Sequence, residues 1–245
     1  MPVFYNASKR CLIFTNLKVM YSTLSQQPAL RQRSADRQVD KETYAHLWAR
    51  KVGLGATAYL LVRNPYARVA SFFADKFRRH PLLERDRGFE DFSGWQDCQE
   101  LFFPLVDVDG SRSPEIVSRM LEDVAFDAVV RALPEVYEQD PHLRPQHRIR
   151  TVTWRGLPVR ASFDDVIPIE TMDPGFMNDR LGVDVGRKRN TTSRGSYTDY
   201  LTADTLAVIN DLYREDFARF GYERHATVPN APVLAPTAPG SVSSA

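Results

Sequence analysis

Ala58-Tyr-Leu-Leu-Val62, then Arg63-Asn64-Pro65, then Val69, Phe72, Phe73 and Phe77 at helical spacing: this stretch decides the fold. A short apolar block with no alternation is the pattern of a strand buried on both faces, as in a parallel sheet. Asn64 has the side chain of a helix N-cap, and Pro65 suits the first helical position, where its missing N–H is not needed. The stretch therefore reads as strand, polar turn, helix. Upstream, Cys11-Leu-Ile-Phe-Thr-Asn-Leu17 is a second apolar run that stops at a cation, Lys18, with Ser22-Thr23 following.

The rest of the chain extends this alternation. Asp40 is expected to cap a helix running to about Val52, with Tyr44, Leu47, Trp48 and Lys51 on one side and Gly53 and Gly55 at its end. Ser113-Pro114 opens a helix with Ile116, Met120, Leu121, Val124 and Ala128 as its stripe, ended by Pro134. Val166–Glu170 reads as a strand at a sheet edge, because proline lacks a ladder donor. Thr202 caps a last helix carrying Leu206, Ile209, Tyr213, Phe217 and Phe220 on one face, and Gly221 stops it. The expected fold class is α/β, a central parallel sheet flanked by helices. Residues 1–225 form the domain, and 226–245, without charge after Ala226 and rich in Pro, Ala and Ser, form a disordered tail.

The 245 residues carry 32 Lys and Arg against 31 Asp and Glu, a formal charge of +1. That balance argues against a polycationic nucleic-acid coat, so any anion site must be built locally. Two cysteines, Cys11 and Cys98, make no disulfide scaffold, and Cys11 in its apolar run reads as a small buried hydrophobe. No apolar stretch approaches the ~18 residues of a membrane span. Lys9 and Arg10 precede only the short run 11–17, which is brief for a signal peptide. A cytoplasmic protein is expected, with peripheral membrane attachment left open.

In parallel sheets ligands lie beyond the carboxyl ends of the strands. Lys18 and Arg63 occupy that position on two strands, each before a helix start, and so form a two-point anion clamp. The common phosphate loops are absent. No Gly-x-x-x-x-Gly-Lys-Ser/Thr occurs, and no Gly-x-Gly-x-x-Gly follows a strand.

Four segments, taken in order, resemble a known family. Lys18-Val-Met-Tyr-Ser22-Thr23 after a strand is similar to the 5′-phosphosulfate loop of sulfotransferases. Leu60-Leu-Val-Arg63-Asn-Pro-Tyr-Ala-Arg68-Val-Ala-Ser71-Phe-Phe-Ala-Asp-Lys76-Phe is similar to their 3′-phosphate segment, where a serine lies eight residues beyond the arginine. Asp140-Pro-His142-Leu-Arg-Pro-Gln146 resembles the His-x-Arg-Pro-Gln segment of the carbohydrate sulfotransferases that include the HNK-1 and chondroitin 4-O enzymes. The ending Leu212 to Tyr222 resembles theirs as well. The likeness spans roughly residues 9–223. Leu17 stands where many members have proline, and Met20-Tyr21 replace a common glycine and small residue.

The resemblance implies a P-loop-NTPase-like sulfotransferase fold and 3′-phosphoadenosine 5′-phosphosulfate (PAPS) as donor, with no metal. It implies Lys18, Ser22 and Thr23 at the 5′-phosphosulfate, and Arg63 and Ser71 at the 3′-phosphate. A loop in the region of Gly186–Arg194 closes over the nucleotide in the family, so Arg187, Asn190, Ser193 and Arg194 are candidates there. The acceptor is a hydroxyl, expected on a carbohydrate. A general base, His142 or His46, takes its proton. Plainer roles exist for the same residues: Arg63 in a structural pair with Asp75 or Glu170, and Trp48, Trp95 and Trp154 in packing. Two other functions compete, a non-catalytic nucleotide or polyanion-binding module and a kinase-like phosphotransferase.

Overall fold

The computed structural model describes residues 3–32, 55–78, 101–154, 157–160, 163–184 and 196–229. Strands β1 (Val3–Asn6), β2 (Cys11–Phe14), β3 (Leu30–Gln32), β4 (Thr57–Val62) and β7 (Asp165–Pro168) form one sheet in the order β3-β1-β2-β4-β7. Strands β5 (Thr151–Trp154) and β6 (Leu157–Arg160) pair separately as an antiparallel ribbon. In chain order the helices are α1 (Tyr21–Ser25), α2 (Pro65–Lys76), α3 (Pro114–Asp123), α4 (Phe126–Val136), α5 (Ala203–Leu212) and α6 (Arg214–Phe220). Among the described residues, no helix is long and apolar enough to cross a membrane.

The α/β class holds, but the sheet is mixed rather than parallel throughout. Strands β2, β4 and β7 run parallel, while β1 pairs antiparallel with both β2 and β3. The reason is local. Residues 7–10 reverse the chain directly from β1 into β2, and a tight reversal joins only antiparallel strands. Asn6 holds this reversal: its Oδ1 accepts from Ser8 N, Ser8 Oγ and Lys9 N, and its Nδ2 donates to the Leu181 carbonyl.

The two central strands are buried on both faces, as their unbroken apolar runs require. Phe4, Ile13, Tyr59, Leu61 and Ile167 face one side with Val19, Leu24, Met177 and Leu181; Val3, Leu12, Phe14, Ala58, Leu60 and Val62 face the other with Ile149. Cys11 is buried, and burial pushes its thiol up to about 11, which makes it an inert packing group. Helix α2 starts as the sequence requires, with Asn64 Oδ1 accepting from Tyr66 N at 2.9 Å and Pro65 in the first turn. Its Phe72 and Phe73 enter a third cluster with Phe77, Phe102, Phe103, Phe126, Leu133, Ile209 and Phe217.

Several boundaries differ from expectation, among them that of β7, which ends at Pro168 rather than Glu170. The first apolar run stops being strand at Phe14, three residues before Leu17, because Thr15 Oγ1 turns to the carbonyls of Asn16 and Val19. The helix opened at Ser113-Pro114 breaks at the extended residues Val124 and Ala125, so Val117 and Leu121 on α3 and Val129 and Leu133 on α4 reach one core; Ile116 turns outward at 45% exposure. Pro134 sits inside α4 rather than ending it. The last helix is two, α5 and α6, joined at Tyr213. The edge position of β7, the Thr202 cap and the Gly221 stop (φ 70°) agree with the sequence. The expected helix from Asp40 to Val52, with Trp48, lies outside the described residues, as do Trp95, Cys98 and most of the tail.

Candidate active site

Strands β2 and β4 are parallel neighbours, with Phe14 opposite Leu60, so their carboxyl ends open on the same edge of the sheet. The loop after β2 carries Lys18 with φ 68° and Met20 with φ 56°, both left-handed. For a non-glycine residue that conformation costs about 1–2 kcal/mol. The loop is held there by Val19, which is fully buried between them, and by Val19 N donating to Asn16 O at 3.1 Å. Thr15 Oγ1 bonds Val19 O, and Leu24 N donates to Met20 O at 2.9 Å. Met20 thus adopts the backbone that a glycine takes easily. The bulky Tyr21 packs on Phe4, with ring centroids 6.1 Å apart.

The Lys18 ammonium ion-pairs with Asp75 on α2; the lysine side chain is 14% exposed and the aspartate 41%. Burial pulls the Lys18 ammonium below its ordinary value, against the opposing charge of Asp75. Burial works to raise the Asp75 carboxyl, but the charge and hydrogen bond of Lys18 outweigh it, and the group stays below the usual carboxylate range. Asp75 lies one helical turn beyond Ser71, so Ser71, half-buried, shares its side of the helix.

His142 lies beside this pair. Its Nδ1 meets Asp140 Oδ1 at 2.9 Å, and the same oxygen accepts its backbone N–H at 2.6 Å. Burial lowers the His142 imidazole below 6.5; Asp140 opposes this, while Lys76 and Lys18 add to it. Burial works to raise Asp140, and the histidine holds it down. With Nδ1 turned to a carboxylate, Nε2 is the ring nitrogen left to meet another group, and burial favours the uncharged ring.

Arg63 follows β4 directly. Its Nη1 donates to the Lys18 carbonyl at 3.0 Å, which ties the two strand ends together. Burial lowers its guanidinium, and the nearby Glu170 charge opposes that. Asp75 is engaged by Lys18 rather than by Arg63, and Glu170 accepts from Asn64 N and from the Tyr222 hydroxyl. The Arg63 backbone is gripped by Gln146: Arg63 N donates to Oε1 at 2.9 Å, and Nε2 donates to Arg63 O at 2.7 Å. Asp216 on α6 accepts from Gln146 N, His147 N and His147 Nδ1 at 2.7–2.8 Å. The guanidinium of Arg68, 1% exposed, has its Nη1 4.0 Å from Asp216 and donates through Nη2 to Arg144 O.

The fold therefore gathers Lys18, Arg63, Ser71 and His142 at one edge. Ser22 and Thr23 lie in the single short turn of α1 just beyond the Lys18 loop, exposed and half-buried respectively. His46, Arg187, Asn190, Ser193 and Arg194 lie outside the described residues. Two pairings are not read from the sequence: Asp75 with Lys18 rather than with Arg63, and Asp140 with His142. The signals were present. Asp75 is four residues after Ser71, and Asp-Pro-His is a turn in which an aspartate accepts from the backbone two residues on. Comparison with protein-family models, curated proteins and solved structures finds no match to this chain.

Proposed function

We propose that this protein is a sulfotransferase on a P-loop-NTPase-like fold, moving a sulfuryl group from PAPS to a hydroxyl, best fitted by a carbohydrate. The observation that carries the reading is the hydrogen bond from Arg63 Nη1 to the Lys18 carbonyl. It brings the Arg63 guanidinium against the main chain of the Lys18 loop, at the edge where parallel sheets hold ligands. A doubly phosphorylated adenosine needs a pair of cations, a fork for its 3′-phosphate and a point charge at its 5′-phosphosulfate.

In this reading the acceptor oxygen attacks sulfur as the bond from sulfur to the 5′-phosphate oxygen breaks. The acceptor proton passes to His142 Nε2, which Asp140 orients through Nδ1. The negative charge on the departing oxygen is met by Lys18, which leaves Asp75 to reach it. Ser71 lies on the α2 face nearest the pair, and Ser22 and Thr23 supply hydroxyls near the phosphosulfate. Placement of donor and acceptor supplies much of the acceleration, and the base adds ~10²–10⁴-fold.

Incubation with sulfur-labelled PAPS and a panel of sugar acceptors tests the reading. Transfer is expected, with Lys18→Ala and Arg63→Ala each abolishing turnover and weakening the binding of adenosine 3′,5′-bisphosphate. If both variants bind and turn over like the wild type, the site is wrong. The engagement of Lys18 by Asp75 favours a second reading, a nucleotide-binding module without chemistry. Nucleotide binding with no transfer to any acceptor supports that one.

A further inference from the structure

We infer that Gln146, held by Asp216, is a positioning residue that makes the β4 strand end selective for the 3′-phosphate of an adenosine nucleotide. This inference rests on the proposed donor and concerns how Arg63 is held to meet it.

Arg63 sits where the sheet ends on both sides. The β2–β4 register stops at Phe14 and Leu60, and the β4–β7 register stops at Val62 and Pro168. Val62 O still accepts from Ile169 N, but the N–H and C=O of Arg63 have no strand beside them. Gln146 supplies what the strand would have. Its carboxamide accepts from Arg63 N and donates to Arg63 O, so one side chain reproduces a rung of a ladder. The carboxamide is fully buried, so neither bond is traded with solvent.

Gln146 is itself fixed. Asp216, also fully buried, accepts its backbone N–H at 2.8 Å and takes two N–H groups of His147. Tyr213, three residues before Asp216, donates its hydroxyl to Leu143 O at 2.9 Å. The segment 140–147 is thus pinned from α6, and through Gln146 it sets the direction in which Arg63 leaves the sheet. Only glutamine fits this role. Glutamate would set a buried carboxylate oxygen against the Arg63 carbonyl, and asparagine is one methylene too short to reach both groups.

A fork that must meet two oxygens of one phosphate at once is sensitive to small displacements of its backbone. Release of the clasp should therefore erode recognition of the 3′-phosphate while leaving the Lys18 side of the nucleotide site as it was. A purely structural role would weaken every nucleotide alike.

Calorimetry with adenosine 3′,5′-bisphosphate and adenosine 5′-monophosphate separates the two, using the full chain, Gln146→Glu and Gln146→Asn. The wild type should prefer the bisphosphate by about tenfold or more, the worth of one charge-assisted hydrogen bond set. Each variant should keep its monophosphate affinity within about twofold and lose most of that preference. Equal loss for both nucleotides, or a preference intact in both variants, overturns the clasp alone. A wild type with no preference overturns the nucleotide reading and the clasp with it. If neither variant folds, amide exchange on the wild type decides: the bisphosphate should slow the Arg63 amide more than the monophosphate does, and equal slowing overturns the proposal.

Discussion

Replacement of Gly182 by alanine tests how the sheet edge is held, independently of any function. Gly182 follows the π-helical turn Met177–Leu181 with φ 64°, and a Cβ there would stand 2.4 Å from Asn6 Nδ2. Asn6 cannot simply turn aside. It is 1% exposed, its Oδ1 holds three donors of the β1–β2 reversal, and its Nδ2 bonds Leu181 O. Two other glycines serve as internal controls. Gly55 (φ 60°) and Gly221 (φ 70°) have the same backbone, with nothing within 4 Å of an added Cβ. For these, the left-handed strain of about 1–2 kcal/mol is offset by about 0.4–1 kcal/mol from the less flexible unfolded chain, leaving a loss near 1 kcal/mol. Gly182→Ala adds a lost hydrogen bond and a buried group left unsatisfied, about 1–3 kcal/mol more. Urea unfolding of the three variants should show Gly182→Ala lowest by that margin, with unchanged slope. If all three lie within 0.5 kcal/mol of one another, the rigidity assigned to Asn6 is refuted.

The His142 imidazole lies below 6.5 in the folded protein, so the unfolded chain binds its proton first as pH falls. Its contribution to stability is therefore complete above pH 6.5 and lost as pH drops through the lower folded value. His142→Gln should flatten this part of the acid limb in unfolding titrations, and should cut sulfuryl transfer by ~10²–10⁴-fold without loss of nucleotide binding. Asp75→Asn keeps an acceptor for Lys18 but removes a charge that a phosphate would meet. Adenosine bisphosphate should then bind up to about fivefold more tightly by calorimetry, and weaker binding would show that Asp75 orients Lys18 instead. Among the described residues, Nε and Nη1 of Arg68 have no hydrogen-bond partner, while Asp216 accepts from three N–H groups. Asp216→Asn, which strands the guanidinium, should cost about 3–5 kcal/mol in urea unfolding, and Arg68→Met distinctly less.

The strand–turn–helix unit at Ala58–Phe77 was fully legible, because an apolar block, an Asn-Pro cap and a helical stripe all agree there. The mixed sheet was not. Strands β1 and β3 are four and three residues long, too short for a period to show, and β1 joins the sheet through a side-chain-stapled reversal that carries no glycine signal. The break between α3 and α4 was hidden because Val124 and Phe126 are apolar on either side of it, so the stripe continues while the backbone turns. At the site, Arg63 at the end of β4 was readable from position, whereas Lys18 lies in a loop beyond the end of β2. Their partners were not: Asp75 looked like a candidate for Arg63, and only the fold decides which cation lies within its reach.

The features at this edge stand on their own as an argument for function. Lys18 and Met20 are left-handed within three residues of each other, whereas Arg10 and Asp107, the other non-glycine residues with positive φ among those described, occupy an ordinary hairpin turn and the end of a short 3-10 turn. Lys18 is partly withdrawn from water, and Arg68 is buried with two nitrogens unmet. Each of these costs stability. Strained residues persist only where the surrounding structure over-determines them, and they cluster at functional sites. Here they surround the carboxyl ends of β2 and β4. Asp216 accepts from Gln146 N, Gln146 Nε2 donates to Arg63 O, and Arg63 Nη1 donates to Lys18 O, so segments far apart in the chain meet at this edge. A displacement at α6 therefore reaches the Arg63 backbone through Gln146, which is why the C-terminal segment belongs with the candidate site rather than with the scaffold.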